Sequence, residues 1–363
     1  MKFIDFFSGA GMFRMGMERA GHTCIGYVEI NKYARQTYET NFDTKDEWFK
    51  EDIMMIKPDE IPKADVWCAG FPCQNLSTAN VFTRQGLEGE RSGLFWQLCY
   101  LLREVDEKPK YLFIENVQGF TTIRGGLDFL KALIELHSIG YDIKYEVSSA
   151  IKYNVPQNRI RTYLICTLNP SQEDNAGEEI PTTKTIKMNN INLLKLYNYI
   201  TENNKNIKLK WGEEGIVSNW VCRITLEKGN YETDITLADI LENEIEDKYY
   251  LNEEQLEKIR YMKSAKQKVL SDGRIWKEGA VPFPDRTDKH SRCITPSDNS
   301  LNRSTHIIQD ENGYRKLTIR ERARLQCLPD TFVFPVSDSQ ASLQIGNGVA
   351  IKVIESIARR EIN

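Results

Sequence analysis

Ala64-Asp65-Val66-Trp67-Cys68-Ala69 is an apolar run of strand length that breaks directly into Gly70-Phe71-Pro72-Cys73-Gln74-Asn75-Leu76-Ser77. A short, almost wholly apolar strand that ends in a glycine and a polar loop is the mark of a strand buried on both faces, as in an open α/β sheet. In such sheets the reactive groups stand at the strand ends, so Cys73 is a candidate nucleophile. Pro72 fixes its own backbone and restricts Phe71, which would hold the thiol in one direction. Taken alone, the stretch fits a buried structural cysteine beside an ordinary turn equally well. The rest of the chain has to supply what a nucleophilic thiolate needs.

At 363 residues the chain can bury a sizeable core, and one large domain with a smaller one is expected. A hydrophobic content of 40% with 28% charged residues is that of a globular protein. No run reaches membrane-span length, and Met1-Lys2-Phe3-Ile4-Asp5 lacks the layout of a signal peptide, so a cytoplasmic location is expected. The eight cysteines are scattered singly and the four histidines form no cluster with them, which argues against disulfides and against a metal site. The net charge of −4 announces no nucleic-acid binder globally, and local charge can differ.

The same strand-then-polar layout recurs along the chain. Lys2 to Phe7 runs into Ser8-Gly9-Ala10-Gly11-Met12, followed by a helix from Phe13 to Ala20 that Gly21 stops. Strand, glycine turn and helix let a backbone approach a ligand closely. The strand Thr23 to Val28 ends on Glu29, where nucleotide-binding folds place an acid on the ribose; the simpler reading is a cap for the helix Asn31 to Asn41. The turn lacks the GxGxxG spacing of a pyrophosphate site, so an adenosine-bearing cofactor without pyrophosphate fits better. Thr83 to Gly93 reads as a lid or a plain connector, and Leu94 to Val105 as a helix. Lys110 to Ile114 delivers Glu115-Asn116-Val117 to its end, and a helix from Leu127 to Ser138 follows. Strands Tyr141 to Ala150 and Thr162 to Leu168 flank Pro156-Gln157-Asn158-Arg159-Ile160-Arg161, whose two arginines point the same way if extended. From Asn169 the alternation fades into polar, Asn/Lys-rich sequence carrying Trp211 and Trp220, read as a smaller basic and aromatic domain or as a solvated insertion. A helix from Arg320 to Leu328, then Gln344-Ile345-Gly346-Asn347-Gly348-Val349 and the amphipathic helix Ala350 to Arg360, end the chain.

A thiolate must be generated or stabilised, and no histidine lies in a segment that reads as catalytic, so a Cys-His hydrolase is poorly supported. Glu115 and Arg161, each at a strand end, could meet Cys73 across neighbouring strands. An acid can protonate a ring nitrogen and an arginine can orient the oxygen beside it. That trio suits addition to an electron-poor heterocycle better than attack on an amide.

Together these stretches resemble the DNA (cytosine-5)-methyltransferase family, in the right order over nearly the whole chain. Phe3-Ile4-Asp5-Phe6-Phe7-Ser8-Gly9-Ala10-Gly11 resembles its S-adenosylmethionine motif, Gly70-Phe71-Pro72-Cys73-Gln74 its nucleophile motif and Glu115-Asn116-Val117 its base-contacting acid. Gln157-Asn158-Arg159-Ile160-Arg161 resembles the arginine motif, and Arg320-Glu321-Arg322-Ala323-Arg324-Leu325-Gln326 and Gly346-Asn347-Gly348-Val349 the last two.

The resemblance implies a Rossmann-like methyltransferase sheet (α/β) with a second, smaller, irregular target-recognition domain. Residues 1–180 would hold catalysis and cofactor, 181–335 target recognition, and 336–363 would return to the catalytic domain. It implies that Cys73, Glu115, Arg159 and Arg161 are catalytic, acting on a cytosine flipped out of the duplex. Cys73 would add to carbon 6, Glu115 would hold N3, Arg161 would orient the base oxygen, and carbon 5 would take the methyl group of S-adenosylmethionine, leaving S-adenosylhomocysteine. The cofactor would lie against Phe7, Ser8, Gly9, Ala10, Gly11, Met12, Glu29, Ile30, Asp52, Ile53, Gly70, Pro72, Leu94, Asn347, Gly348 and Val349. Double-stranded DNA would meet Gln74, Ser77, Arg84, Arg91, Ser92, Arg292 and Arg303, although a structural loop accounts for the last two almost as well. A monomer is expected, with no metal, no membrane, and a cognate restriction endonuclease as a candidate partner. The chain departs from the family pattern at Asn158 and Ile160, where charged residues are common, and at Gly348, where serine is frequent. Two rivals stay open. A transfer RNA cytosine-5 methyltransferase shares these motifs, but its own motif after the nucleophile is not found here. A DNA-binding regulator that has lost catalysis is opposed by Cys73, Glu115 and Arg161 being intact.

Overall fold

The computed structural model describes residues 1–71, 93–169, 177–181, 183–203, 207–225, 232–269 and 273–363. Pro72, Cys73, Gln74, Ser77, Arg84, Arg91, Ser92 and the candidate lid from Thr83 onward lie outside the described residues, apart from Gly93. Its strands are β1 (Lys2–Phe6), β2 (Thr23–Val28), β3 (Trp48–Lys50), β4 (Val66–Ala69), β5 (Tyr111–Val117), β6 (Tyr141–Ser149), β7 (Gln157–Asn158), β8 (Ile160–Leu168), β9 (Thr185–Lys187), β10 (Ile191–Asn192), β11 (Lys208–Lys210), β12 (Glu214–Ser218), β13 (Val221–Thr225), β14 (Lys266–Val269), β15 (Ile275–Glu278), β16 (Ser291–Arg292), β17 (Ile307–Asp310) and β18 (Gly313–Lys316). The helices are α1 (Met12–Arg19), α2 (Lys32–Asn41), α3 (Gly93–Glu104), α4 (Leu127–Ser138), α5 (Leu193–Glu202), α6 (Glu253–Lys263), α7 (Ile319–Leu325), α8 (Asp338–Asn347) and α9 (Ile351–Glu361).

One large sheet runs in the order β10-β13-β12-β6-β8-β5-β4-β1-β2-β3. The half from β3 to β5 is parallel, and every pairing from β5 outward is antiparallel. Its central strands alternate between two cores, as a doubly covered sheet requires. Ile4, Phe6, Trp67, Ala69, Leu112, Ile114, Leu164 and Cys166 face the core that α3 and α4 cover. Phe3, Val66, Cys68, Tyr111, Phe113, Tyr163 and Ile165 face the core of α1, α7 and α9. The helices α1 and α9 touch so closely that a Cβ on Gly16 would stand 2.5 Å from Cβ of Ile354. Residues 191–225, inside the stretch expected to form the small domain, add β10, β12 and β13 to the large sheet instead. On β12, Gly215 lies under the Tyr145 ring, with no room for a side chain.

Between residues 232 and 318 the texture is different. Here α6 and the hairpin β17–β18 hold a small core of Leu256, Ile259 and Ile307, and a second hairpin, β14–β15, carries exposed apolar residues. A separate two-residue parallel ladder, β16 on β7, ties this region to the segment that leads into β8 of the large sheet. Among the described residues no helix is long and apolar enough to cross a membrane.

Candidate active site

Glu115 and Arg161 meet because β5 and β8 are antiparallel. Glu115 stands opposite Tyr163 and Val117 opposite Arg161, so the C-terminal end of β5 and the N-terminal end of β8 share one sheet edge and one face. Arg161 Nε lies 3.1 Å from Glu115 Oε1. Ala69 is level with Ile114, which brings Gly70 beside Glu115: a Cβ on Gly70 would stand 3.9 Å from Glu115 Oε2. The chain therefore enters the Cys73 stretch, through buried Phe71, next to the Glu115–Arg161 pair. Glu115 is 8% exposed, and burial raises its proton affinity, opposed by the charges of Arg161 and Arg159. A partly desolvated carboxyl whose second oxygen is free of Arg161 can hold a proton for a ring nitrogen. Asn116 beside it turns inward, its Oδ1 accepting the Val117 N–H.

The glycine turn lies at the same edge, after β1. Phe7, Gly9 and Gly11 all adopt positive φ. The Gly9 N–H donates to Glu29 Oε2 at 2.8 Å, and the Asn31 N–H to Oε1 at 2.7 Å. Glu29 is thus not the cap of α2; that role falls to Asn31, whose Oδ1 accepts from the N–H groups of Tyr33 and Ala34. Burial raises the Glu29 pKa, while these N–H groups and Arg35 oppose it. Asp52 caps the short turn Ile53–Met55 by accepting the Met54 N–H, and Ile30, the residue after Glu29, is 64% exposed. Below the turn, Asp5 is wholly buried with neither oxygen at hydrogen-bonding distance from a partner, and burial pushes its pKa up to about 8 despite Arg14.

At the far end of the turn, Gly348 explains its own presence. A Cβ there would lie 2.2 Å from Met12 Sδ, so the frequent serine is replaced where a thioether fills the space. Val349 is buried, and Asn347, the last residue of α8, is exposed. Ala10 and Ile53 are core residues and Leu94 packs at the edge of the α3 side.

The two motif arginines have different destinations. Arg161 faces Glu115, whereas Arg159 is 2% exposed and donates to the carbonyls of Gly346 (3.1 Å), Gly348 (2.6 Å) and Ile294 (3.4 Å). Arg292 and Arg303, expected on DNA, are held inside the chain. Arg292 donates to both oxygens of Asp285, at 2.6 and 3.1 Å, and Arg303 to the carbonyls of Met262, Ser264 and Gly279. Asp285 also receives buried Lys263 and the Ile307 N–H, making it the hub of the small region. Asp285, Gln157 and Gln326 went unnoticed in the sequence, where only the motif positions of the two glutamines gave a signal. A surface cavity of about 420 Å³, lined by Glu242, Glu244, Glu246, Lys248 and Asp338 among others, shares no residue with this edge.

A parallel sheet half with a glycine turn, an acid that accepts that turn's N–H and an acid–arginine pair at one edge is the architecture of a Rossmann-like methyltransferase sheet. The sequence model of the C-5 cytosine-specific DNA methylases matches residues 1–363, and the chain belongs to that family. It is 30% identical over 363 residues to the type II methyltransferase M.NgoBI of Neisseria gonorrhoeae, covering 98% of this chain and 91% of that one. With M.Sau3AI of Staphylococcus aureus the identity is 26% over 393 residues, covering 99% and 95%. The S. pombe Dnmt2 methyltransferase structure shares the fold, with a TM-score of 0.65 at 18% identity over 100% of this chain and 98% of that one. The chain is accordingly an enzyme that methylates carbon 5 of cytosine in DNA, and its reaction needs a methyl donor.

Proposed function

We propose that the chain methylates a cytosine flipped out of a specific duplex DNA sequence, with S-adenosylmethionine as donor, as the modifying enzyme of a restriction-modification pair in the cytoplasm. The observation that carries the reading is the Glu115–Arg161 pair beside Gly70 at the edge that also bears the glycine turn. Cys73 adds through its thiolate to carbon 6, which makes carbon 5 nucleophilic. Glu115 holds the proton at N3, and Arg161 orients the base oxygen next to it. S-adenosylmethionine, when bound, supplies the electrophilic methyl group. Loss of the carbon 5 proton then lets Cys73 leave, and the ring regains its aromaticity as 5-methylcytosine.

The residues present fit this cofactor. Ser8 Oγ is buried without a hydrogen-bond partner, and a Cβ on Gly9 would meet nothing within 4 Å, so the turn borders open space with an unused polar atom. Glu29 would hold the ribose, Asp52 and Ile53 the adenine edge with Ile30 against its face, and Asn347 and Val349 the methionine end.

Target recognition falls to the region 232–318, a tighter span than 181–335. Support comes from the β14–β15 hairpin, whose Val269, Ile275 and Trp276 are 64%, 57% and 45% exposed, with Arg274 and Lys277 exposed beside them. A two-stranded ribbon matches the width of the major groove, and apolar and cationic side chains suit base methyl groups and phosphates. Arg292 and Arg303 are engaged within this region, on Asp285 and on the carbonyls of Met262, Ser264 and Gly279.

The test is expression in cells lacking cytosine methylation, beside Cys73→Ser, with 5-methylcytosine mapped across the genomic DNA. One short sequence methylated only by the parent chain is expected. Absence of methylation by a folded, cofactor-binding protein would sink the reading, and transfer RNA would be the next substrate to try.

A further inference from the structure

Arg159 carries a buried charge with no carboxylate at ion-pair distance among the described residues. Such a guanidinium is costly unless its donors are engaged, and here the two terminal nitrogens are engaged while Nε is buried without a hydrogen-bond partner. Its Nη2 donates to Gly346 and Gly348, and its Nη1 to Ile294 and to Cys293 Sγ at 3.6 Å. Two wholly buried glutamines complete the cluster. Gln326 Nε2 donates to the carbonyls of Ile345 (2.9 Å) and Gly348 (3.2 Å). Gln157 Nε2 donates to the Leu325 carbonyl at 3.0 Å, and its Oε1 accepts the Ile294 N–H at 3.0 Å. Every strand of this knot leads to a part of the site. Arg161 is two residues from Arg159 on the same extended segment, and Gly348 leans on Met12 of the glycine turn. Residue 346 tolerates no side chain either, since a Cβ would stand 2.3 Å from the Pro296 nitrogen.

We propose that Arg159 is a positioning residue that locks the Gly346–Val349 segment to the strand bearing Arg161, so that the methionine end of the cofactor site and the base pocket are held in one fixed geometry. The proposal rests on the reading of Gly346–Val349 as the cofactor's methionine end and of Arg161 as the base-side arginine. It moves Arg159 from the catalytic groups to their scaffold. A planar fork can bridge the carbonyls of residues 346 and 348, and a lysine ammonium, with the same charge, cannot do so in the same way. Neither Gln326 nor Arg159 would then touch substrate.

The full-length chain and its Arg159→Lys, Gln326→Ala and Arg161→Lys variants would be compared in two measurements. The first is the affinity for S-adenosylhomocysteine without DNA, by calorimetry. The second is kcat and KM for labelled-methyl transfer to unmethylated bacterial genomic DNA, with thermal unfolding as a check on folding. Arg159→Lys and Gln326→Ala should each weaken S-adenosylhomocysteine by about tenfold, about the net worth of one buried hydrogen bond to the Gly346–Gly348 carbonyls, and raise the KM for the donor alongside a lower kcat. Arg161→Lys should lower kcat and leave S-adenosylhomocysteine affinity unchanged. An Arg159→Lys protein that binds S-adenosylhomocysteine like the parent but loses kcat as Arg161→Lys does would overturn the proposal, because Arg159 would then act on the base. A lowered unfolding temperature with unchanged affinity and kcat would overturn it too, reducing the clasp to general stability. If Arg159→Lys does not fold, Gln326→Ala decides by the same criteria from the other side. A parent chain that binds no S-adenosylhomocysteine would bring down the cofactor reading and the clasp together, whereas a parent that binds it but transfers no methyl group leaves the calorimetric comparison decisive.

Discussion

Replacing Glu115 by glutamine isolates the proton from everything else the side chain does. The isostere keeps its volume, and its Oε1 can still accept from Arg161 Nε, now 3.1 Å from the carboxylate. Its amide can donate a hydrogen bond from the position of Oε2, the oxygen nearer Gly70, so the base can still be held. What disappears is a group able to give up and take back a proton. General acid catalysis of this kind is worth about 10²–10⁴ in rate, or roughly 3–5 kcal/mol in the barrier. Glu115→Gln should therefore lower the single-turnover rate of methyl transfer by that factor, with DNA affinity changed by less than about tenfold. The parent's rate should fall as pH rises and Glu115 loses its proton, from a pKa that burial raises and two arginines restrain, and this limb should vanish in the variant. Stability should move the other way. A carboxyl whose folded pKa exceeds its unfolded 4.5 contributes fully below pH 4.5 and loses that contribution as pH rises through the folded value, so the glutamine variant should be slightly the more stable at neutral pH. A variant with the parent's full rate across the pH range would refute the assignment of Glu115 as the acid.

Two further outcomes test the supports of the site. Asp285→Ala strands Lys263, which is 1% exposed, and should destabilise the chain by about 3–5 kcal/mol in urea unfolding; adding Lys263→Met should recover part of the loss. A single-variant loss below about 1 kcal/mol would show that Asp285 is not the hub of residues 232–318. On β6, where Glu146 is level with Tyr163, burial raises the Glu146 pKa, but the Tyr153 hydroxyl, Lys152 and Ser148 outweigh it and bring it to about 2, with Arg360 of α9 donating at 2.9 Å. This depressed carboxylate stabilises the fold above pH 4.5, and the contribution, at most about 3 kcal/mol, is lost as pH falls toward 2. Glu146→Gln should weaken the chain at pH 7 and flatten the acid limb, and an unchanged acid profile would count against the network.

The reacting edge could be read from the sequence because its groups follow buried strands directly. An apolar run closed by Gly70, by Glu29 or by Glu115 announces both the strand and what stands at its end. Strand direction leaves no such trace. The period of β8 is the same in either sense, and only the pairing shows that Arg161 begins its strand where Glu115 ends one. The strands of residues 191–225 escaped notice because glycine and polar residues interrupt them. Gly215 is there for the Tyr145 ring and the turn Asn219-Trp220 for its two positive φ angles, neither of which leaves an apolar period.

Charge is the harder case, since a sequence shows a cation but not its partner. Arg159 and Arg161 alternate in step, yet one ends on a carboxylate and the other on three carbonyls contributed by segments more than a hundred residues away. Arg292 and Arg303 look like phosphate contacts until Asp285 and the α6 carbonyls are seen to hold them. Arg274 and Lys277 are exposed on a hairpin with exposed Trp276, in a stretch that carries no motif. That division has a physical basis. The chemistry is the same in every member of a family, and its residues sit in a fixed, buried frame that clasps such as Arg159 and Asp285 maintain. Target sequence differs from one enzyme to the next, and the residues that read it must remain exposed and replaceable without disturbing that frame. The recognition surface proposed for this chain, the β14–β15 ribbon, lies where the motifs stop and the surface is both apolar and cationic.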